Sequence, residues 1–127
     1  MTDWAVDDFD VQTDFKGGSR IKDPELMRQA HWAFDDCVVC GRIDISIHHI
    51  LPRSLGGDDV WENLVPLCGS GTHGCHGAVE AQSDAVCRAL GLYVVRDRPD
   101  TMRYLSEKLK TPEAAADFIR RYLRVES

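Results

Sequence analysis

The chain has 127 residues, 43% of them apolar and 28% charged, with a formal net charge of −6. That length suits one domain of ordinary soluble composition. No run of eighteen apolar residues occurs, which excludes a membrane-spanning helix, and the acidic balance excludes binding of nucleic acid through bulk charge alone.

The acidity is uneven. Residues 1–36 carry 9 acidic and 4 basic groups, residues 37–80 carry 5 and 2, and residues 81–127 carry 7 and 9. Only the last third is basic. The opening, "MTDWAVDDFD", lacks the basic start and apolar stretch of a signal peptide, so a cytoplasmic protein is expected. Residues 1–22 read as an acidic mobile arm, with a short strand at "DFDVQTDF" as the alternative.

From Asp23, "DPELMRQAHWAF" has an N-cap candidate, Pro24 at N1, Glu25 in the first turn and apolar residues at helical spacing. It predicts a helix over about 23–34. "CVVCG" reads as a zinc-type turn. "DISIHHIL" alternates β-branched and polar residues and predicts a strand. "PRSLGGDDVWEN" is a loop punctuated by Pro52, Gly56 and Gly57. "LVPLC" predicts a second short strand, with Pro66 marking an edge or an end. "GSGTHG" is a second loop, and helix-compatible sequence follows from Cys75 to Leu90. "LYVVRD" reads as a short strand or extended segment. "PDTMRYLSEKLK" and "TPEAAADFIRRYLR" predict two helices, the second opened by Thr111, Pro112 and Glu113.

Five cysteines, an odd number, argue against a disulfide framework and leave the thiols as metal ligands or buried apolar groups. Cys37 and Cys40 put two sulfurs on one turn, and Cys68 and Cys75 make a second pair. Four thiolates complete the usual closed tetrahedral site of a structural Zn²⁺. Six residues separate the second pair, and three of them are glycines (Gly69, Gly71, Gly74), so the loop can fold back. His73 inside it competes with Cys75 as the fourth ligand. Cys87, at helical spacing with Leu90, reads as buried and inert.

The zinc leaves His48, His49, His76 and Asn63 unused. Adjacent residues on a strand face opposite sides. One of His48 and His49 can therefore face a metal while its neighbour takes a proton from water. Glu80 lies four residues after His76, on the same helical face. His48, His76 and Glu80 could form an incomplete metal shell with positions open to water and substrate. Arg53 could hold a phosphate or be a solvated loop residue. The basic C-terminal helices either follow a duplex backbone or present a solvated face. The aromatic residues Trp4, Trp32, Trp61, Tyr104, Phe118 and Tyr122 read as core or packing groups, and His31 has no predicted partner.

"HHILPRSLGG", then "ENLVPLC", then "CHGAVE", resembles the HNH nuclease motif in its zinc-bound form. "LCGSGTHGCHG" is similar to small HNH endonucleases of phages that infect actinobacteria. The resemblance spans residues 37–80 and implies an α+β fold: a ββα-metal core stapled by a four-cysteine zinc site, flanked by N- and C-terminal helices. It implies a nuclease core over 23–92 with a basic helical extension over 93–127. It implies metal-dependent hydrolysis of DNA phosphodiesters, leaving 5′-phosphate and 3′-hydroxyl ends, in a bacterial or phage-infected cell. His48 then matches the metal ligand of the first strand, His49 the general base, Asn63 the brace of loop and base, and His76 the metal ligand on the helix. Glu80 falls where some members have a further His ligand. The cofactors implied are a structural Zn²⁺ and a catalytic Mg²⁺, Mn²⁺, Ni²⁺ or Zn²⁺. The partners implied are DNA and, for members of this kind, a phage packaging terminase. The competing reading is a non-catalytic zinc module that recruits a nucleic-acid machine.

Overall fold

The computed structural model describes residues 20–125. The predicted arm, its alternative strand and Trp4 fall mostly or wholly outside them. The architecture is α+β, with a two-stranded antiparallel sheet and five helices. Helix α1 spans Pro24–Ala33; β1, Ile45–His49; β2, Leu64–Cys68; α2, Gly74–Glu80; α3, Asp84–Asp97; α4, Pro99–Lys108; and α5, Pro112–Tyr122. Short 3₁₀ turns at Arg53–Leu55 and Trp61–Asn63 interrupt the long β1–β2 loop.

Local signals set the helix starts. The Asp23 side chain accepts from the Leu26 N–H at 3.0 Å, and Thr111 does the same for Ala114 at 3.0 Å. Each satisfies an amide that the first helical turn leaves unpaired, and a proline at N1 needs no such partner.

β1 and β2 pair so that His48 lies opposite Val65 and His49 opposite Leu64. Pro66 sits opposite Ile47, and its carbonyl accepts from the Val38 N–H of the cysteine turn at 3.2 Å. The outer edge of β2 is thereby covered, and every residue of the strand is buried.

Two predicted elements differ. The sequence from Cys75 does not run as one helix. It breaks after Glu80, where Gln82 takes a left-handed φ of 60°, and restarts at Asp84. "LYVVRD" is the last half of α3 rather than a strand. Cys87, Leu90, Gly91 and Val94 are all buried on one face of α3, so burial at helical period overrides the β preference of the Val94–Val95 pair.

One apolar cluster runs from Cys37 and Cys68 through Leu51, Leu67 and Val79 to Leu105, Phe118 and Leu123. It joins the sheet to the C-terminal helices. Phe118 stacks on Tyr122 at 4.8 Å, and Trp61 meets Phe34 edge-on. Trp32 departs from the predicted packing role. It is 84% exposed, because α1 buries only Ala30. No helix among the described residues is long and apolar enough to cross a membrane.

Candidate metal centres and nuclease site

Cys37 and Cys40 come from the turn before β1, Cys68 from the end of β2 and Cys75 from the first turn of α2. Their four sulfurs lie within 4.8 Å of one another, and none forms a disulfide. The return of the chain depends on Gly69 and Gly74, with φ of 80° and 70°. A Cβ at Gly69 would meet the His73 carbonyl at 2.3 Å, and one at Gly74 the Cys68 carbonyl at 2.5 Å. Gly71 has open space around it. His73 stands outside the cluster, exposed, with Nδ1 3.1 Å from Ser70 Oγ.

The donors suit a tetrahedral thiophilic ion. The Val39 amide points at Cys37 Sγ (3.4 Å) and the Cys75 amide at Cys68 Sγ (3.3 Å). Burial raises the Cys37 thiol, but hydrogen bonds from Cys40, Cys68 and Val39 outweigh it and bring the thiol down to about 7. Burial and the neighbouring thiols push Cys75 the other way. Four sulfurs this close ionise together only around a cation.

A second cluster lies across the strand. His48 Nδ1 and His76 Nε2 are each 3.5 Å from Glu80 Oε2. His48 is buried in the sheet, and burial followed by the charges of His76 and His49 lowers it to about 3. It is therefore neutral and keeps a lone pair. Ser46 fixes the tautomer of His76. Its Oγ is 2.7 Å from the Gly69 carbonyl, a pure acceptor, so the hydroxyl donates there. The same Oγ is 2.5 Å from His76 Nδ1 and must accept from it. The proton is thus on Nδ1, and Nε2 offers its lone pair toward Glu80 and His48. Two imidazoles and a carboxylate make an open shell that fits a divalent cation.

His49 faces the other way. Its Nε2 is 2.8 Å from Asp59 Oδ1. Asp59 is buried, which raises it, yet the Asp23 amide, His49 and Arg20 hold it below the usual carboxylate range. An ionised carboxylate only accepts, so His49 donates from Nε2 and Nδ1 is the basic nitrogen. His48, His49, Arg53, His76 and Glu80 all line one open cavity of about 590 Å³.

The family model for HNH endonuclease matches residues 37–82. This segment is an HNH domain. No curated protein and no solved structure matches the chain.

The HNH family is one of nucleases, so the domain suggests a nuclease-type function, with a nucleic acid as the implied substrate and divalent metal as the implied cofactor. Within the domain, the predicted His48, His76 and Glu80 come together, as do the four cysteines. Asn63 is fully buried and braces the β1–β2 loop. Its Oδ1 accepts from the Leu51 amide at 2.7 Å, and its Nδ2 donates to the carbonyls of Leu51 and Asp58, both at 3.1 Å. It reaches His49 only through that loop, which carries Asp59. Arg53 is exposed at the cavity rim.

Sequence reasoning missed Asp59, Ser46 and Arg20. Asp59 had one signal: an acidic pair in a loop between the His pair and the Asn. Arg20 lies 39 residues away. It donates to Asp59 Oδ1 (2.5 Å) and the Gly57 carbonyl (2.7 Å), and nothing in the spacing points to it.

Proposed function

We propose that the protein is a metal-dependent endonuclease that hydrolyses DNA phosphodiester bonds. The observation that carries this is the division of β1. His48 joins His76 and Glu80, His49 joins Asp59, and both faces open on the same cavity.

In this reading His48, His76 and Glu80 hold a divalent cation, which when bound supplies Lewis-acid stabilisation of the phosphate and of the departing 3′ oxygen. His49, kept neutral by burial, takes a proton from water at Nδ1. The water oxygen bonds to phosphorus in line with the leaving group as the bond to the 3′ oxygen breaks. Asp59 holds the imidazole and offsets the charge it gains. Arg53 at the rim holds a neighbouring phosphate through its planar guanidinium. The four-cysteine site holds a structural Zn²⁺ and pins Cys75, and with it His76, at the start of α2. Four zinc-bound thiolates suit a reducing, cytoplasmic compartment. The described residues of each chain form one such site, which cuts one strand per event. A helper role beside a phage packaging terminase is supported only by the resemblance of "LCGSGTHGCHG" to phage members of the family.

The test is plasmid cleavage with Mg²⁺, Mn²⁺ or Ni²⁺. Wild type should give nicked circles first, and His49→Ala should be slower by roughly 10²–10⁴-fold. Zinc-loaded wild-type protein that cuts with none of these metals would instead be the non-catalytic zinc module.

A further inference from the structure

Outside the matched segment, α3 and the end of α5 enclose a second open cavity of about 590 Å³, walled by Arg88, Arg120, Arg121 and Arg124. We propose that this groove binds the sugar–phosphate backbone of the DNA strand leaving the HNH cavity. The inference rests on the nuclease reading and adds where the substrate runs beyond the cut.

Continuity is the first argument. Gln82, Tyr122 and Leu123 line the HNH cavity, and Arg124, next in the chain, lines the groove. Arg124 Nη2 is 3.3 Å from Gln82 Oε1, so the two cavities share a wall. A strand whose phosphate sits at His48 and His49 must continue past the cavity, and on this side it meets guanidinium groups.

Charge is the second. Four arginines face two carboxylates. Asp117 pairs with Arg120 and Arg121, and Asp84 with Arg124 at 3.2 Å. A net positive patch therefore stands in a chain of net charge −6. Among the described residues Arg88 pairs with no carboxylate. Its Nε donates to the Arg124 carbonyl at 3.4 Å, which leaves its terminal nitrogens to the groove. Planar guanidinium groups bind phosphate oxygens two at a time and read no base. The expected contact is thus to backbone, independent of sequence.

The experiment is binding of a dye-labelled DNA duplex by anisotropy over a range of KCl, without added divalent cation. Removing one side chain that binds a phosphate lowers the slope of log K against log salt by about 0.9. The triple variant Arg88→Ala, Arg120→Ala, Arg121→Ala should lower it by about 2–3, equally for unrelated sequences. All three side chains are exposed. If the triple variant melts early, Arg88→Ala alone should lower the slope by about 0.9. The double variant Arg96→Ala, Arg103→Ala removes two exposed charges elsewhere and should keep the wild-type slope. A slope indifferent to the groove arginines would overturn the proposal and leave the patch to an acidic protein partner. So would an equal loss in the double variant. The nuclease reading fails separately: wild type would then bind with an arginine-dependent slope yet cut with no metal.

Discussion

His49 and Asp59 show how much one contact sets. A histidine on a half-buried strand would otherwise choose its own tautomer. The ionised carboxylate fixes the proton on Nε2, and the Asp23 amide (2.8 Å) and Arg20 keep that carboxylate ionised. Asp59→Ala should lower kcat by about 10–100-fold, the usual effect of losing a partner behind a reacting or ligating imidazole, with little change in KM. Burial lowers the His49 pKa, and the hydrogen bond and charge of Asp59 oppose it. The base must be neutral to work. Activity should therefore persist below the ordinary histidine value of about 6.5 and be lost only as pH falls through the depressed one. Asp59→Ala removes a raising influence, so its acid limb should move to lower pH while the plateau drops. Cleavage rates across pH 5 to 8 test both signs. An acid limb that moves upward would rule out Asp59 as the partner of the base.

At the scale of elements, α3 is decided by what it packs against. Gly91 is buried on its inner face, and a Cβ there would meet Val125 Cγ2 at 2.4 Å and the Leu123 carbonyl at 2.6 Å. Alanine is the better helix former by about 1 kcal/mol. Overpacking a close contact costs about 1–3 kcal/mol. The steric term should win, and Gly91→Ala should melt several degrees lower, as scanning calorimetry would show. A higher melting temperature would mean that the Leu123–Val125 segment after α5 does not seat on α3 this closely. The β1–β2 loop is likewise an element held by others. Its buried polar groups find partners in Asn63, Arg20 and Tyr104, which donates to Asp58 Oδ2 at 2.8 Å.

Across the whole molecule, the HNH segment is fastened from three sides. Arg20 to Asp23 clamp Asp59 from the N-terminal side. From α4, Lys108 pairs with Asp58 at 3.0 Å, and Arg98, just before that helix, donates to the carbonyls of Trp61 (2.9 Å) and Leu64 (3.1 Å). The cysteine cluster closes the third side, where a two-stranded sheet and a seven-residue helix offer little core of their own. Zinc in such sites binds with roughly 10–16 kcal/mol, comparable to the entire stability of a small domain, about 5–15 kcal/mol. Purified protein should therefore retain at least one zinc per chain through desalting. Strong chelation or Cys75→Ser should abolish the cooperative melt. Four freely titrating thiols in folded, metal-free protein would exclude the structural zinc.

The sequence by itself determined the parts that depend on spacing along the chain. The Cys37–Cys40 turn, the His48–His49 pair, Asn63, the Cys75–His76 step and the caps at Asp23 and Thr111 are all read within a few residues of one another. The α+β class and the two short strands follow from the same local patterns. Tertiary structure decided the rest, because a residue's type does not say which distant residue it meets. "LYVVRD" became helix once one face had α4 and the Leu123–Val125 segment to bury against. Trp32 stayed in solvent because α1 had almost nothing to bury. Cys75 rather than His73 joined the other three sulfurs because the glycine turns set the direction of the loop. Asp59 found His49 across ten residues, and Ser46 found His76 across thirty. Each of those hydrogen bonds fixes a proton position, and a proton position exists only where the folded chain brings donor and acceptor together.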